Sequence, residues 1–109
     1  MALESAVIQQ KVIDQFGLKV ADFVQLHDVL TFEVAPEAIL EVMKYLKEDE
    51  TLRFNFLTDI CGVHYPEYAE ERQFAVVYHM HNWVDNVRIR IKCFLPASNP
   101  EIDSVVSLF

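Results

Sequence analysis

Residues 87–95 read Val87-Arg88-Ile89-Arg90-Ile91-Lys92-Cys93-Phe94-Leu95, and their alternation decides the fold. Successive side chains of a strand point to opposite faces, so Val87, Ile89, Ile91 and Cys93 form an apolar row while Arg88, Arg90 and Lys92 form a basic one. One side of this strand is buried. Two further β-rich runs precede it, Phe54 to Tyr65 and Phe74 to His81, divided by the turn signals Pro66-Glu67 and Asp85-Asn86. All three are predicted to be strands of one sheet.

Moving outward, Pro36 suits the first turn of a helix. Ile39, Val42, Met43 and Leu46 then recur at three and four residues and leave Glu37, Glu41, Lys44 and Lys47 to water. Before this helix, VADFVQL and VLTFEV flank His27-Asp28 and read as a hairpin. Residues 4–16 place Ile8, Val12 and Phe16 four apart, with Val7 and Ile13 beside them. Gly17 follows where a left-handed helix cap is wanted, so a first helix is predicted there. The element order is helix-strand-strand-helix-strand-strand-strand. It predicts an α+β fold with helices packed on one face of a largely antiparallel or mixed sheet, in a single domain over residues 1–109. Beyond Pro96, Asp103 or Ser104 is placed to cap the start of a further helix, whose apolar positions Val105, Val106, Leu108 and Phe109 are expected to belong to a truncated element.

Composition narrows the function classes. A chain of 109 residues with 52% hydrophobic residues and only two glycines should fold around one core. Its net charge of -8 repels phosphate backbones and anionic lipid, so no nucleic acid partner is expected. Charges interrupt every apolar stretch well short of the ~20 residues a membrane helix needs, and no direct membrane insertion is expected. The two cysteines, Cys61 and Cys93, read as small buried thiols of a reducing compartment.

Two constellations could carry chemistry. Cys61, His64, His79 and His81 are zinc-type ligands. If the two middle strands form a hairpin turning near Ala69, however, Asp59 lies opposite His79 and His64 opposite Phe74. His64 and His79 are then about 16 Å apart along the sheet at ~3.3 Å per residue. The same register puts Asp59, Cys61 and His79 on one face, as a nucleophilic site would need, but nothing there supplies an oxyanion hole. The helix-covered face is assigned Phe54, Phe56, Thr58, Ile60, Phe74, Val76, Tyr78 and Met80. The other face keeps Leu57, Cys61, Val63, Ala75 and Val77 beside Asp59, His79 and His81, which is apolar enough to suggest a covering partner.

From Phe54 onward the segments FNFLTDICGVHYPE, RQFAVVYHMH, VRIRIKCFLP and DSVVSLF occur in an order that resembles the NuoC type, the small hydrophilic peripheral-arm subunit of NADH-quinone oxidoreductase in the respiratory complex I family. The resemblance implies two helices packed on one face of a five-stranded mixed sheet, and a non-catalytic component of the peripheral arm on the cytoplasmic side of the cell membrane, in contact with the hydrogenase-like subunit and the iron-sulfur subunit near the quinone end. It implies no cofactor in this chain; NADH, FMN, iron-sulfur clusters and quinone belong to the assembled complex, which passes electrons from NADH to quinone and translocates protons. His64 stands where the family usually has an aspartate, and the family's acidic, arginine-rich helix does not occur by Phe109. Candidate partner contacts are Asp59, His79, His81, Arg88, Arg90, Lys92, Leu108 and Phe109. Whether the isolated domain dimerises through surface its partners cover stays open. The rival readings are the equivalent subunit of a membrane-bound hydrogenase complex and a free-standing thiol or metal enzyme using Asp59, Cys61, His79 and His81.

Overall fold

A computed structural model describes residues 4–26, 29–96 and Ile102. Helix α1 (Ser5–Phe16) leads into the hairpin β1 (Val20–Leu26) and β2 (Val29–Val34). Helix α2 (Ile39–Glu48) follows, and then β3 (Phe56–His64), β4 (Phe74–Asn82) and β5 (Val87–Leu95). The strands form one five-stranded sheet in the order β1-β2-β5-β4-β3. β5 runs parallel to β2 and antiparallel to β4, so the sheet is mixed, as the resemblance implied and as one of the two arrangements the element order allowed.

Local chemistry sets the helix ends. Gly17 takes φ +56 and its backbone N–H bonds Ile13 O, which closes α1 on a residue that tolerates a left-handed backbone. Pro36 opens a short 3-10 turn, Pro36–Ala38, that feeds α2. At the far end the Asp49 carboxylate accepts the Thr51 and Leu52 backbone N–H groups at 2.9 and 3.1 Å and lies 3.3 Å from Lys11 Nζ. Partial burial works against its charge, but these bonds win and hold its pKa below the usual carboxylate value.

The two helices close one face of the sheet. Ile8 and Val12 of α1 and Ile39, Val42, Met43 and Leu46 of α2 meet Leu30, Phe32, Val34, Tyr78, Met80, Ile89, Ile91 and Cys93 in one apolar cluster, which Ile102 also joins at its margin. Phe16 and Tyr45 lock the helices together edge to face, 5.4 Å between ring centroids. The alternation of β5 holds: Ile89, Ile91 and Cys93 are fully buried, while Arg88 on the opposite face is exposed.

One assignment of faces is corrected. Phe56 pairs with His81 and Leu57 with Met80, whereas Asp59 pairs with His79 and Ile60 with Tyr78, so Thr58 is an extra residue in β3. A bulge of this kind breaks strict alternation. Leu57 therefore lies on the helix side, half-buried, and Phe56, expected in the core, is 47% exposed on the other face. Thr58, also expected in the core, is exposed and donates its hydroxyl to His79 O at 2.9 Å. β3 begins at Phe56 rather than Phe54, although the Phe54 ring is fully buried. The expected helix start at Asp103 or Ser104, with Leu108 and Phe109, lies outside the described residues.

Asn82, at the end of β4, ties the last hairpin to the chain after α2. Fully buried, it donates from Nδ2 to Leu52 O at 2.6 Å and to Asp85 Oδ2 at 3.1 Å, and its Oδ1 accepts the Asp85 backbone N–H at 3.0 Å. Asn82→Ala should leave the Leu52 carbonyl and the Asp85 N–H unpaired in the interior, at a cost of about 3 kcal/mol in the free energy of unfolding from urea titration. A change below ~0.5 kcal/mol, the scale of an ordinary surface substitution, would show that Asn82 does not hold this junction.

Candidate interaction site

The register of the sheet places the functional candidates of the open face in transverse rows. One row runs Asp59, His79, Arg90, Thr31 and Val24 across all five strands; its neighbours are Phe56-His81-Arg88 and Cys61-Val77-Lys92-Glu33-Ala21. The predicted pairing of Asp59 with His79 is therefore present, and so is that of His64 with Phe74, whose rings stack at 4.6 Å.

At the centre, Arg90 Nε lies 3.0 Å from His79 Nε2. A guanidinium only donates, so Nε2 must accept and the imidazole is neutral with its proton on Nδ1. That Nδ1 is buried with no hydrogen-bond partner among the described residues; the Asp59 carboxylate oxygen Oδ2 is 4.0 Å away, beyond hydrogen-bond reach. The three residues form a chain of charge and dipole across β3, β4 and β5, not a tight pair.

The two ends of the face are finished differently. Near the β4–β5 turn, His81 is buried with Nε2 3.0 Å from Asn86 Oδ1, and its ring lies 4.1 Å from that of Trp83. The indole also packs edge-on against Phe56, at 5.6 Å. Trp83 and Val84 stay 60% and 72% exposed, an apolar corner beside Arg88. At the opposite end the β3–β4 connection folds over the sheet. Tyr65 and Tyr68 stack at 4.6 Å and flank Phe94, the Arg72 guanidinium sits 3.9 Å above the Phe94 ring, and Arg72 pairs with Glu33 of β2. Ala75, the lateral neighbour of Phe94, is thereby buried.

Between this loop and the first hairpin lies a groove of about 430 Å³ lined by Asp22, Val24, Thr31, Glu33, Tyr68 and Arg72, among others. Burial and the neighbouring Asp22 carboxylate raise the Glu33 pKa against the opposing pull of Arg72. The sequence pattern does not predict this loop architecture. Its one signal is Phe94, an aromatic residue in line with the basic row, which needs a cover.

The sheet separates the ligand-type residues. Cys61 is exposed on β3, against the expectation of a buried thiol, because it lies on the open face of the edge strand. Cys93 lies buried on the helix side, and burial pushes its thiol up to about 12. His79, in the row next to Cys61 on the same face, has its Nε2 engaged by Arg90, which leaves it no accepting nitrogen for that thiol. Nor do the described residues gather three or more His, Cys, Asp or Glu groups able to hold a metal ion.

With this geometry in place, comparison with known proteins gives three results. Residues 32–109 match the family described as respiratory-chain NADH dehydrogenase, 30 Kd subunit. The C-type subunit, second form, of NADH-quinone oxidoreductase from Rhizobium etli (strain CIAT 652) is 38% identical over 110 residues, covering 100% of this chain and 57% of that protein. The C-type subunit of the same oxidoreductase from Roseiflexus sp. (strain RS-1) is 32% identical over 109 residues, covering 100% of this chain and 62% of that protein. The chain thus spans about three fifths of the length of these relatives. Among solved structures, a chain of the membrane-bound sulfane sulfur reductase, an archaeal respiratory membrane complex, superposes with a TM-score of 0.66 at 21% identity, over 82% of this chain and 48% of that one. At that identity the likeness is one of fold.

The two thiols should differ sharply in reactivity. Iodoacetamide at neutral pH is expected to label Cys61 in the folded protein and to leave Cys93 unmodified until urea exposes it, as read by peptide mass spectrometry. Labelling of Cys93 as fast as Cys61 in the native state would contradict its burial.

Proposed function

The chain belongs to the family of the respiratory-chain NADH dehydrogenase 30 Kd subunit, and from this we propose that it is a non-catalytic interaction subunit of the peripheral arm of an NADH-quinone oxidoreductase. In this reading the hydrogenase-like subunit and the iron-sulfur subunit of the quinone end are its neighbours, on the cytoplasmic side of the membrane. NADH, FMN, the iron-sulfur clusters and quinone are held by other subunits of a complex that couples electron transfer to proton translocation. No described helix is long and apolar enough to cross a membrane, which fits attachment through protein contacts.

The observation that carries this reading is β3. All nine residues are exposed or half-buried although Phe56, Leu57, Ile60 and Val63 are among them. A strand open on both faces and along its outer edge loses hydrophobic stabilisation on each side and offers unpaired backbone groups, which natural sheets normally guard. A subunit whose partners complete its surface has no need of the guard.

A second reading keeps the fold and the role but places the chain in a related membrane-bound complex of the hydrogenase type. It is favoured by the fold shared with a chain of an archaeal respiratory membrane complex. The neighbouring coding sequences discriminate the two, since an NADH-binding flavoprotein subunit favours respiration and a nickel-binding large subunit favours hydrogenase.

Ile60→Glu tests the role of β3. Ile60 is 42% exposed at the sheet edge, so the variant should unfold within about 1 kcal/mol of the parent. Its recovery with the tagged hydrogenase-like and iron-sulfur subunits should nevertheless fall about tenfold. Recovery equal to the parent's would remove β3 from the interface, and a parent chain that never co-purifies with those subunits would sink the subunit reading itself.

A further inference from the structure

Several of the nine cations of this chain are held in ion pairs. Lys11, Lys19, Arg53 and Arg72 each lie within ion-pair distance of a carboxylate, on Asp49, Glu41, Asp85 and Glu33 respectively. Arg88, Arg90 and Lys92 have no carboxylate at that distance among the described residues, although the chain carries 17 acidic residues against nine basic ones. Glu33, the lateral neighbour of Lys92, is already engaged by Arg72. Three cations spaced ~6.6 Å apart along one strand face, in an acid-rich molecule, thus stand together without a carboxylate partner among the described residues.

The middle one is also pre-oriented. Arg90 spends its Nε–H on His79 Nε2, at 3.0 Å. Fixing the guanidinium plane in this way leaves its remaining N–H donors for an outside acceptor, and a guanidinium held in place binds carboxylate with less loss of side-chain freedom than a free one. His79 can do this only while its Nε2 carries no proton, because the guanidinium only donates.

We infer that the row Arg88-Arg90-Lys92 is a docking site for an acidic segment of a partner protein, with Arg90 as the central carboxylate anchor and His79 as the positioning residue that orients it. The inference rests on the subunit reading above and adds the chemistry of the contact. Charge selects the occupant. The row's field is felt within a Debye length of ~8 Å, so a short acidic segment senses the cations, whereas a polyanion or an anionic membrane must also meet the surface of a chain with net charge -8. The exposed Trp83 and Phe56 at the end of the row add an apolar contact for the same segment.

The test uses the full chain and the purified subunits with which it co-assembles, with affinity measured by titration and folding checked by thermal denaturation. Arg90→Gln should weaken binding about tenfold, and the triple variant R88Q/R90Q/K92Q at least a hundredfold, with a shallower salt dependence. His79→Phe should weaken binding several-fold. His79→Gln, whose side-chain oxygen can still accept from Arg90, should restore it to within about twofold at equal thermal stability. Equal losses in the two His79 variants would overturn the positioning role. A triple variant that binds like the parent would overturn the docking site while leaving the subunit reading intact; a parent that does not bind these subunits would bring down both. Binding of the parent to phosphatidylglycerol vesicles that Arg90→Gln abolishes would assign the row to lipid and overturn the protein partner.

Discussion

The whole sheet depends on β5 being seated between two hairpins that do not otherwise touch through the ladder. β1 pairs only with β2, and β3 only with β4; among the described residues the sheet order β1-β2-β5-β4-β3 leaves β5 as the one strand that joins the two hairpins through the backbone ladder. Both of its edges are used, parallel on one side and antiparallel on the other. Its apolar row then meets the two helices at Ile89, Ile91 and Cys93, each fully buried. Nothing local can build this arrangement, because β2 and β5 are separated by a helix and a hairpin. The loop-closure entropy is met only when the last strand arrives, so folding should be slow for a chain of this size. In the folded chain the Asn82 network pins the β4–β5 turn to the segment after α2.

This dependence explains what is legible in the sequence. β5 reads cleanly because a strand buried on one face must alternate, and α2 because a helix buried on one side must repeat at three and four residues; both patterns are direct records of burial. The pairing of Asp59 with His79 is legible too, since it follows from the hairpin length. The Thr58 bulge is not. An inserted residue leaves every side chain near it chemically unremarkable and changes only which way the earlier ones point, so Phe56 and Leu57 exchange faces without a trace in composition. The cover of Tyr65, Tyr68 and Arg72 over Phe94 is equally hidden, because it joins a loop to β2 through Glu33 across a long sequence separation. Exposure of Cys61 escapes for a third reason. The type and order of strands can be read from a chain, but which one ends at an edge is a property of topology.

The topology also decides where the open surface falls. Two helices are enough to cover β1, β2, β5 and most of β4, and β3 projects past them with Ile60 and Val63 only partly covered on opposite faces. The open side of the sheet is closed at one end by the chain's own aromatic loop and left uncovered at the other, where Phe56, Trp83 and Val84 meet Arg88. The uncovered regions are therefore contiguous, running from the edge strand across the basic row. That continuity suits one partner surface better than several unrelated ones, since water excluded at β3 would also strengthen charge pairing at Arg88 and Arg90.

An interaction surface must keep its shape before its partner arrives, and the central row meets that need through the neutral His79. A cationic histidine would set two donors against each other at Arg90 and turn toward Asp59; the neutral one accepts from Arg90 and lets the guanidinium stand fixed between Arg88 and Lys92. Three cations held close on one strand repel one another, a cost that a lone domain has no reason to carry and that an incoming carboxylate would relieve. The same reasoning separates this face from a catalytic one. In an active site the imidazole would be free to take a proton from the nearby Cys61 thiol, whereas here its accepting nitrogen is occupied by a group that cannot give up its proton. The arrangement holds a charge in place, which is what the proposed contact requires.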